Sequence, residues 1–103
     1  MVGRTPLVLT HSKRKRIPKA KDIVLMFRAI LAMVPLHTPL QHGLRESLKG
    51  ITNYRIASST DERFWSVDVY HNDYFVVTCR NLTQPCPSVR SAIGHLRMML
   101  GLK

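Results

Sequence analysis

Residues 63–80 read RFWSVDVYHNDYFVVTCR, and the way the two halves of this stretch pair decides the fold. Side chains of a strand point to opposite faces in turn, so the alternation in RFWSVDVY (63–70) and YFVVTCR (74–80) can be matched across a turn. If His71-Asn72-Asp73 form a three-residue loop, Val69 faces Phe75, Val67 faces Val77 and Trp65 faces Cys79, and one continuous apolar face results. A two-residue loop of Asn72-Asp73 would set Val67 against Thr78 and Trp65 against Arg80, mixing the faces and losing the burial. The three-residue loop is the expectation. Tyr70 and Tyr74 then emerge on the face opposite the core, where ordinary cross-strand packing competes with a role in stacking on bases.

Working outward, TNYRIAS (52–58) has strand chemistry and makes the meander three-stranded. Upstream of it, Leu40, Leu44 and Leu48 repeat every four residues, which predicts a helix from about Pro39 to Lys49, ended by Gly50. His42, Arg45 and Lys49 stand on its other side, and Gly43 weakens it by up to about 1 kcal/mol relative to alanine. A preceding helix runs from Asp22, a good start residue, to Val34, where Pro35 stops it. Downstream, Ser88 follows Pro85 and Pro87 and is placed to cap a last helix. Its inward stripe is Val89, Ile93, Leu96 and Leu100, and Arg90 and Arg97 share another face.

The expected fold class is therefore α+β: two N-terminal helices, a three-stranded antiparallel meander and a C-terminal helix, preceded by a disordered basic arm. Residues 1–21 form the flexible arm and 22–103 a single compact domain, a usual size for one core. The helices are expected to pack on the Trp65/Val67/Val69 side of the sheet.

From Pro39 onward this α-β-β-β-α order resembles the double-stranded-RNA-binding domain, over roughly residues 39–102. In that family the last helix opens with a K-K-x-A-K motif over the phosphates of the major groove. The corresponding stretch here is Cys86-Pro87-Ser88-Val89-Arg90, in which only Arg90 keeps a motif cation, and Ala92 matches a small residue found shortly after. The resemblance implies recognition of structured RNA through phosphate contacts.

Charge is the strongest bulk signal. Sixteen Lys and Arg against six Asp and Glu leave a formal charge of +10, which points to a polyanionic partner. Residues 1–21 hold +7 of it in Arg4, Lys13, Arg14, Lys15, Arg16, Lys19 and Lys21, with no acid. A dense run such as Lys13-Arg14-Lys15-Arg16 suits phosphates, because each neutralised phosphate releases counterions; it also has the form of a nuclear import signal. Lys13, Arg14, Lys15, Arg16, Lys19, Lys21, Arg45, Lys49, Arg90 and Arg97 are the candidate nucleic-acid contacts.

The helix 22–34 is apolar almost all round, apart from Arg28, and a domain this small seldom encloses such a helix. Met26, Phe27, Ile30 and Met33 are accordingly candidate contacts with a second copy or another protein, unless the helix is simply core. A basic segment beside an apolar helix also suits an anionic membrane surface.

Cys79 and Cys86 match neither a redox pair nor a zinc spacing and read as reduced thiols. The five histidines and six acids form no metal or catalytic motif, so neither enzyme, cofactor nor metal is expected. Arg28 interrupts the apolar run and Pro35-Leu36-His37 is a poor cleavage site, which argues for an intracellular chain, nuclear or cytoplasmic and not secreted. The expected function is a small intracellular nucleic-acid-binding protein, RNA slightly before DNA, whose arm contacts phosphates and whose domain is a candidate dimer. The alternatives are a regulatory or viral accessory interaction protein with an import signal, and a peripheral protein on anionic membranes.

Overall fold

In the computed structural model, which describes residues 17–46, 50–59 and 64–101, one helix, five strands and a second helix follow in order. They are α1 (Ala20–Met33), β1 (Leu40–Glu46), β2 (Thr52–Ser58), β3 (Trp65–Tyr70), β4 (Tyr74–Cys79), β5 (Leu82–Cys86) and α2 (Val89–Leu100). The strands form one antiparallel sheet in the order β1-β2-β3-β4-β5.

The central hairpin has the register that its alternation demands. Trp65 pairs with Cys79, Val67 with Val77, Val69 with Phe75 and Tyr70 with Tyr74, across a turn at His71-Asn72-Asp73. Asn72 and Asp73 take the left-handed conformation that short polar side chains tolerate. Trp65, Val67, Val69, Phe75 and Val77 are almost wholly buried and meet Met26 and Ile30 of α1 and Ala92, Leu96 and Leu100 of α2 in one core. Both helices thus cover the same face of the sheet, as this apolar face requires.

Two strands flank the expected three, and the expected fold is corrected accordingly. The segment read as a second N-terminal helix, residues 39–49, contains β1, which pairs with β2 from Leu40↔Ser58 to Glu46↔Thr52. A spacing of four is one helical turn but also two strand pleats, so Leu40 and Leu44 share a face in either structure. Pairing wins because β2, largely buried, has backbone groups on its outer edge that only another strand satisfies. The resemblance to the double-stranded-RNA-binding domain needs a helix in this segment, and the order from Leu40 onward is five strands and then a helix. Gly50, with φ 79°, belongs to the β1–β2 connection rather than to a helix end.

At the other edge, β5 runs through Pro85 and pairs with β4, Cys79↔Leu82 to Phe75↔Cys86. Arg80 and Asn81, φ 53° and 73°, form the two-residue turn with both central residues left-handed that matches strand twist. Proline lacks an N–H and is confined to edge strands, which is where Pro85 stands.

The helix ends agree with their sequences at Pro35 and Ser88 but not at the start of α1. Helix α1 starts two residues earlier than expected and ends before Pro35. In α2, Ser88 and Ser91 close a reciprocal capping box, and Gly101 ends the helix with φ 75°. Among the described residues no helix is long and apolar enough to cross a membrane. The arm is described only from Ile17; its cluster Lys13 to Arg16 lies outside the described residues.

Leu96, fully buried, is expected to cost about 2–5 kcal/mol when replaced by alanine, through lost transfer energy and a residual cavity. Arg45→Ala, on an exposed edge position, is expected to stay within about 0.5 kcal/mol. Urea denaturation followed by tryptophan fluorescence of Trp65 measures both.

A candidate binding face on the uncovered side of the sheet

Pleating sends every second side chain to the face that the helices do not cover. Across β1 to β4 one row of that face is Arg45, Asn53, Tyr70 and Tyr74: Arg45 pairs with Asn53, Tyr70 with Tyr74, and the β2–β3 register sets Asn53 level with Tyr70. At about 4.8 Å per strand the row spans about 14 Å. The next row is Gly43, Arg55, Asp68, Val76 and Pro85. Beyond it come Gln41, Ala57, Ser66, Thr78 and Thr83. No described helix or strand lies across these rows; Ala57, Ser66 and Asp68 at their centre are buried, and Arg45 and Tyr74 at the ends of the first row are exposed.

Asp68 organises the centre. It is buried, and its carboxylate accepts from Arg55 Nε at 2.7 Å and Arg55 Nη2 at 3.1 Å, a bidentate pair between directly opposed residues. Asn53 Nδ2 donates to the same carboxylate at 2.7 Å. A buried carboxylate on a sheet needs such donors, since leaving it unpaired costs far more than the pair contributes. The hydrogen bond to Asp68 raises the Arg55 pKa above its ordinary value. Arg55 is thereby held as a fixed planar cation, still partly open to solvent.

Tyr70 and Tyr74 meet edge to face, with ring centroids 5.4 Å apart and planes at 60°. Tyr74 is 46% exposed, and Tyr70 is half-buried. Desolvation, followed by the charge of Asp68, pushes the Tyr70 phenol above its usual value, while Arg55 and Arg45 oppose the shift. The Tyr70 phenol thus lies within reach of the charges of Asp68, Arg55 and Arg45. Gln41, Gly43, Arg45, Arg55 and Ala57 line a cleft of about 310 Å³ that runs along β1 and β2.

The residues singled out in the sequence are divided among different surfaces. Arg45 lies exposed on the uncovered face, on a strand instead of a helix. Arg90 is exposed and Arg97 half-buried on α2, in the helix layer on the opposite side of the sheet. Lys19 precedes α1 and Lys21 stands in its first turn, both exposed. Lys13, Arg14, Lys15, Arg16 and Lys49 lie outside the described residues. Met26 and Ile30 are fully buried in the core, and Phe27 and Met33 pack against it. The apolar residues that α1 turns outward are Val24, Leu25 and Leu31 instead.

Arg55, Asn53 and Asp68 were not among the sequence candidates. The signal for them was the alternation of TNYRIAS itself, which sets Tyr54 and Ile56 on one face and Asn53, Arg55 and Ala57 on the other. His42, on the helix side of β1, is within 2.7 Å of the Tyr54 hydroxyl through Nδ1 and packs against the edge of Phe27. Among the described residues no three His, Cys, Asp or Glu side chains are grouped to hold a metal ion. Cys79 and Cys86 are free thiols in the core.

No protein-family model, no curated protein and no solved structure matches this chain.

Asp68→Asn is expected to destabilise the fold by about 1.5–3 kcal/mol, because the substituted amide cannot accept from both Arg55 nitrogens as a carboxylate does. Tyr70 makes a prediction about alkaline pH. The unfolded chain releases the phenolic proton near the ordinary value of 10.0, below the raised value of the folded chain. Stability therefore falls as pH rises from there through the raised value, and Tyr70→Phe removes that part of the fall. Denaturant midpoints across the alkaline range, with the tyrosinate absorbance band recorded in parallel, measure it.

Proposed function

We propose that this protein binds single-stranded nucleic acid on the uncovered face of its sheet. The observation that carries the proposal is the row Arg45, Asn53, Tyr70, Tyr74 on a face over which no described helix or strand lies. An exposed tyrosine on a flat sheet offers a base a stacking surface, and every base has a π-face, so the interaction does not depend on sequence. Exposed Arg45 supplies a cation for a phosphate at one end of the row. Arg55, fixed by Asp68, offers a guanidinium plane on which a base can lie, in the manner of cation–π and planar stacking.

A duplex keeps its bases stacked inside, so a tyrosine row has nothing to engage there except by unpairing it. An unpaired strand is the better fit. The net charge of +10 supports a polyanionic ligand of any kind. In this reading the run Lys13 to Arg16 adds affinity for phosphates without reading bases, and the face supplies the preference for unpaired strands. Arg90 and Arg97, in the helix layer, are not part of the site.

The test is fluorescence anisotropy with single-stranded RNA, single-stranded DNA and a duplex, over a salt series. Tyr74→Ala is expected to weaken single-strand binding about five-fold or more while leaving the salt slope unchanged. Arg45→Ala and charge reversal of Lys13 to Arg16 are expected to lower the salt slope. Equal binding of duplex and single strand, or no response to Tyr74→Ala, would overturn the reading.

A further inference from the structure

The edge of the sheet at β1 lacks most of the features that keep an edge strand from pairing; its charged residues, Arg45 and Glu46, stand together at its C-terminal end. Among the described residues β1 pairs only with β2, and its seven residues run in unbroken register without proline, lysine or bulge. Gly43 stands at its centre, with open space where a Cβ would be. The opposite edge differs: β5 is shorter and contains Pro85.

The helix above this edge is equally unfinished. Phe27 of α1 touches His42 of β1, ring centroids 4.8 Å apart, which identifies the flank of α1 that faces the β1 edge. Val24, three residues before Phe27, and Leu31, four after, lie on that same flank. They are 47% and 59% exposed, and Leu44, on the helix side of β1, is 59% exposed. Strand edge and helix flank together make one seam along one side of the molecule, with apolar Val24, Leu31 and Leu44 at its middle and the charges of Arg28 and Glu46 at its margins.

We propose that the seam is filled by a second copy of this chain, with the two β1 strands antiparallel about a twofold axis through Gly43. Centring on Gly43 pairs all seven residues of β1, more than any other centre. Gly43 then faces the partner's Gly43, Leu44 the partner's His42 and Arg45 the partner's Gln41, and no like charges are opposed. An axis normal to the sheet keeps both helix layers on one side, so the Val24/Leu31 flanks of the two α1 helices turn toward each other. A second copy supplies strand and apolar flank at once, because an interface around a twofold axis is self-complementary. The product is a ten-stranded sheet with one continuous uncovered face. That two Arg45 rows then share one nucleic-acid platform rests on the proposed function; the dimer itself does not.

Sedimentation of the full chain without nucleic acid tests the dimer, together with oxidation of Gly43→Cys. Directly opposed residues of antiparallel strands have Cα atoms about 4.5–5.5 Å apart, within disulfide range, and the native thiols are buried. The expected result is a concentration-dependent dimer mass and a disulfide-linked Gly43→Cys dimer. Gly94→Cys, exposed on α2, should remain largely uncrosslinked. Leu31→Glu, exposed in the single chain, should leave the circular dichroism unchanged and weaken the dimer about tenfold or more. A mass that stays monomeric at every concentration overturns the proposal. So does a dimer in which Gly43→Cys crosslinks no faster than Gly94→Cys, or one that Leu31→Glu leaves intact. Because nucleic acid is absent, these outcomes do not depend on whether the uncovered face binds it.

Discussion

The structure depends on one constraint: the pairing of β3 with β4 that brings Trp65 and Cys79, Val67 and Val77, and Val69 and Phe75 onto a single face. That face must be removed from water, and both helices are committed to it. Met26 and Ile30 from one and Ala92, Leu96 and Leu100 from the other are the residues that do so. Among the described residues the two helices, of 14 and 12 residues, both lie on one face of the five-stranded sheet and none lies on the other. That neither described helix lies on the polar face is a direct consequence of where the hydrophobic surface is.

An uncovered sheet face still has to be stable in its own right. Its centre is held by a buried carboxylate, Asp68, with three donated hydrogen bonds from Arg55 and Asn53. These bonds link β2 to β3 by side chains as well as by backbone, and they hold the Arg55 guanidinium on Asp68, two residues along β3 from Tyr70. Order in this part of the molecule is therefore polar order, with the same groups serving the fold and shaping the surface offered to a ligand. Preorganised cations and rings lose little conformational entropy on binding, which is the physical advantage of building a recognition surface on strands instead of loops.

The same one-sidedness leaves the edges unequal. Pro85 closes one of them and Gly43 lies in the middle of the other. The sequence of α1 follows this inequality, since its outward apolar residues near β1 lie beside the strand that, among the described strands, pairs on one side only. In the sequence alone, an all-apolar helix reads as either core or contact surface; in the fold it is both, Met26 and Ile30 inward, Val24 and Leu31 outward.

Read from the sequence alone, the central hairpin, its register, its loop and the two helices at the ends of the domain were legible, because alternation over two strands, the stop at Pro35 and the cap at Ser88 are local signals; the start of the first helix, read from Asp22, lies at Ala20. Also legible was the position of Tyr70 and Tyr74 opposite the core. The nature of residues 40–46 was not, since a leucine every fourth residue satisfies the helical and the extended period alike. Nor was β5, whose proline reads as a break until the strand is known to be an edge. What only tertiary structure decided was the sheet's width, and with it the site: Arg45 reaches the tyrosine row because β2 needed a partner for its outer backbone groups, a requirement that pairing between distant segments creates and no local pattern contains.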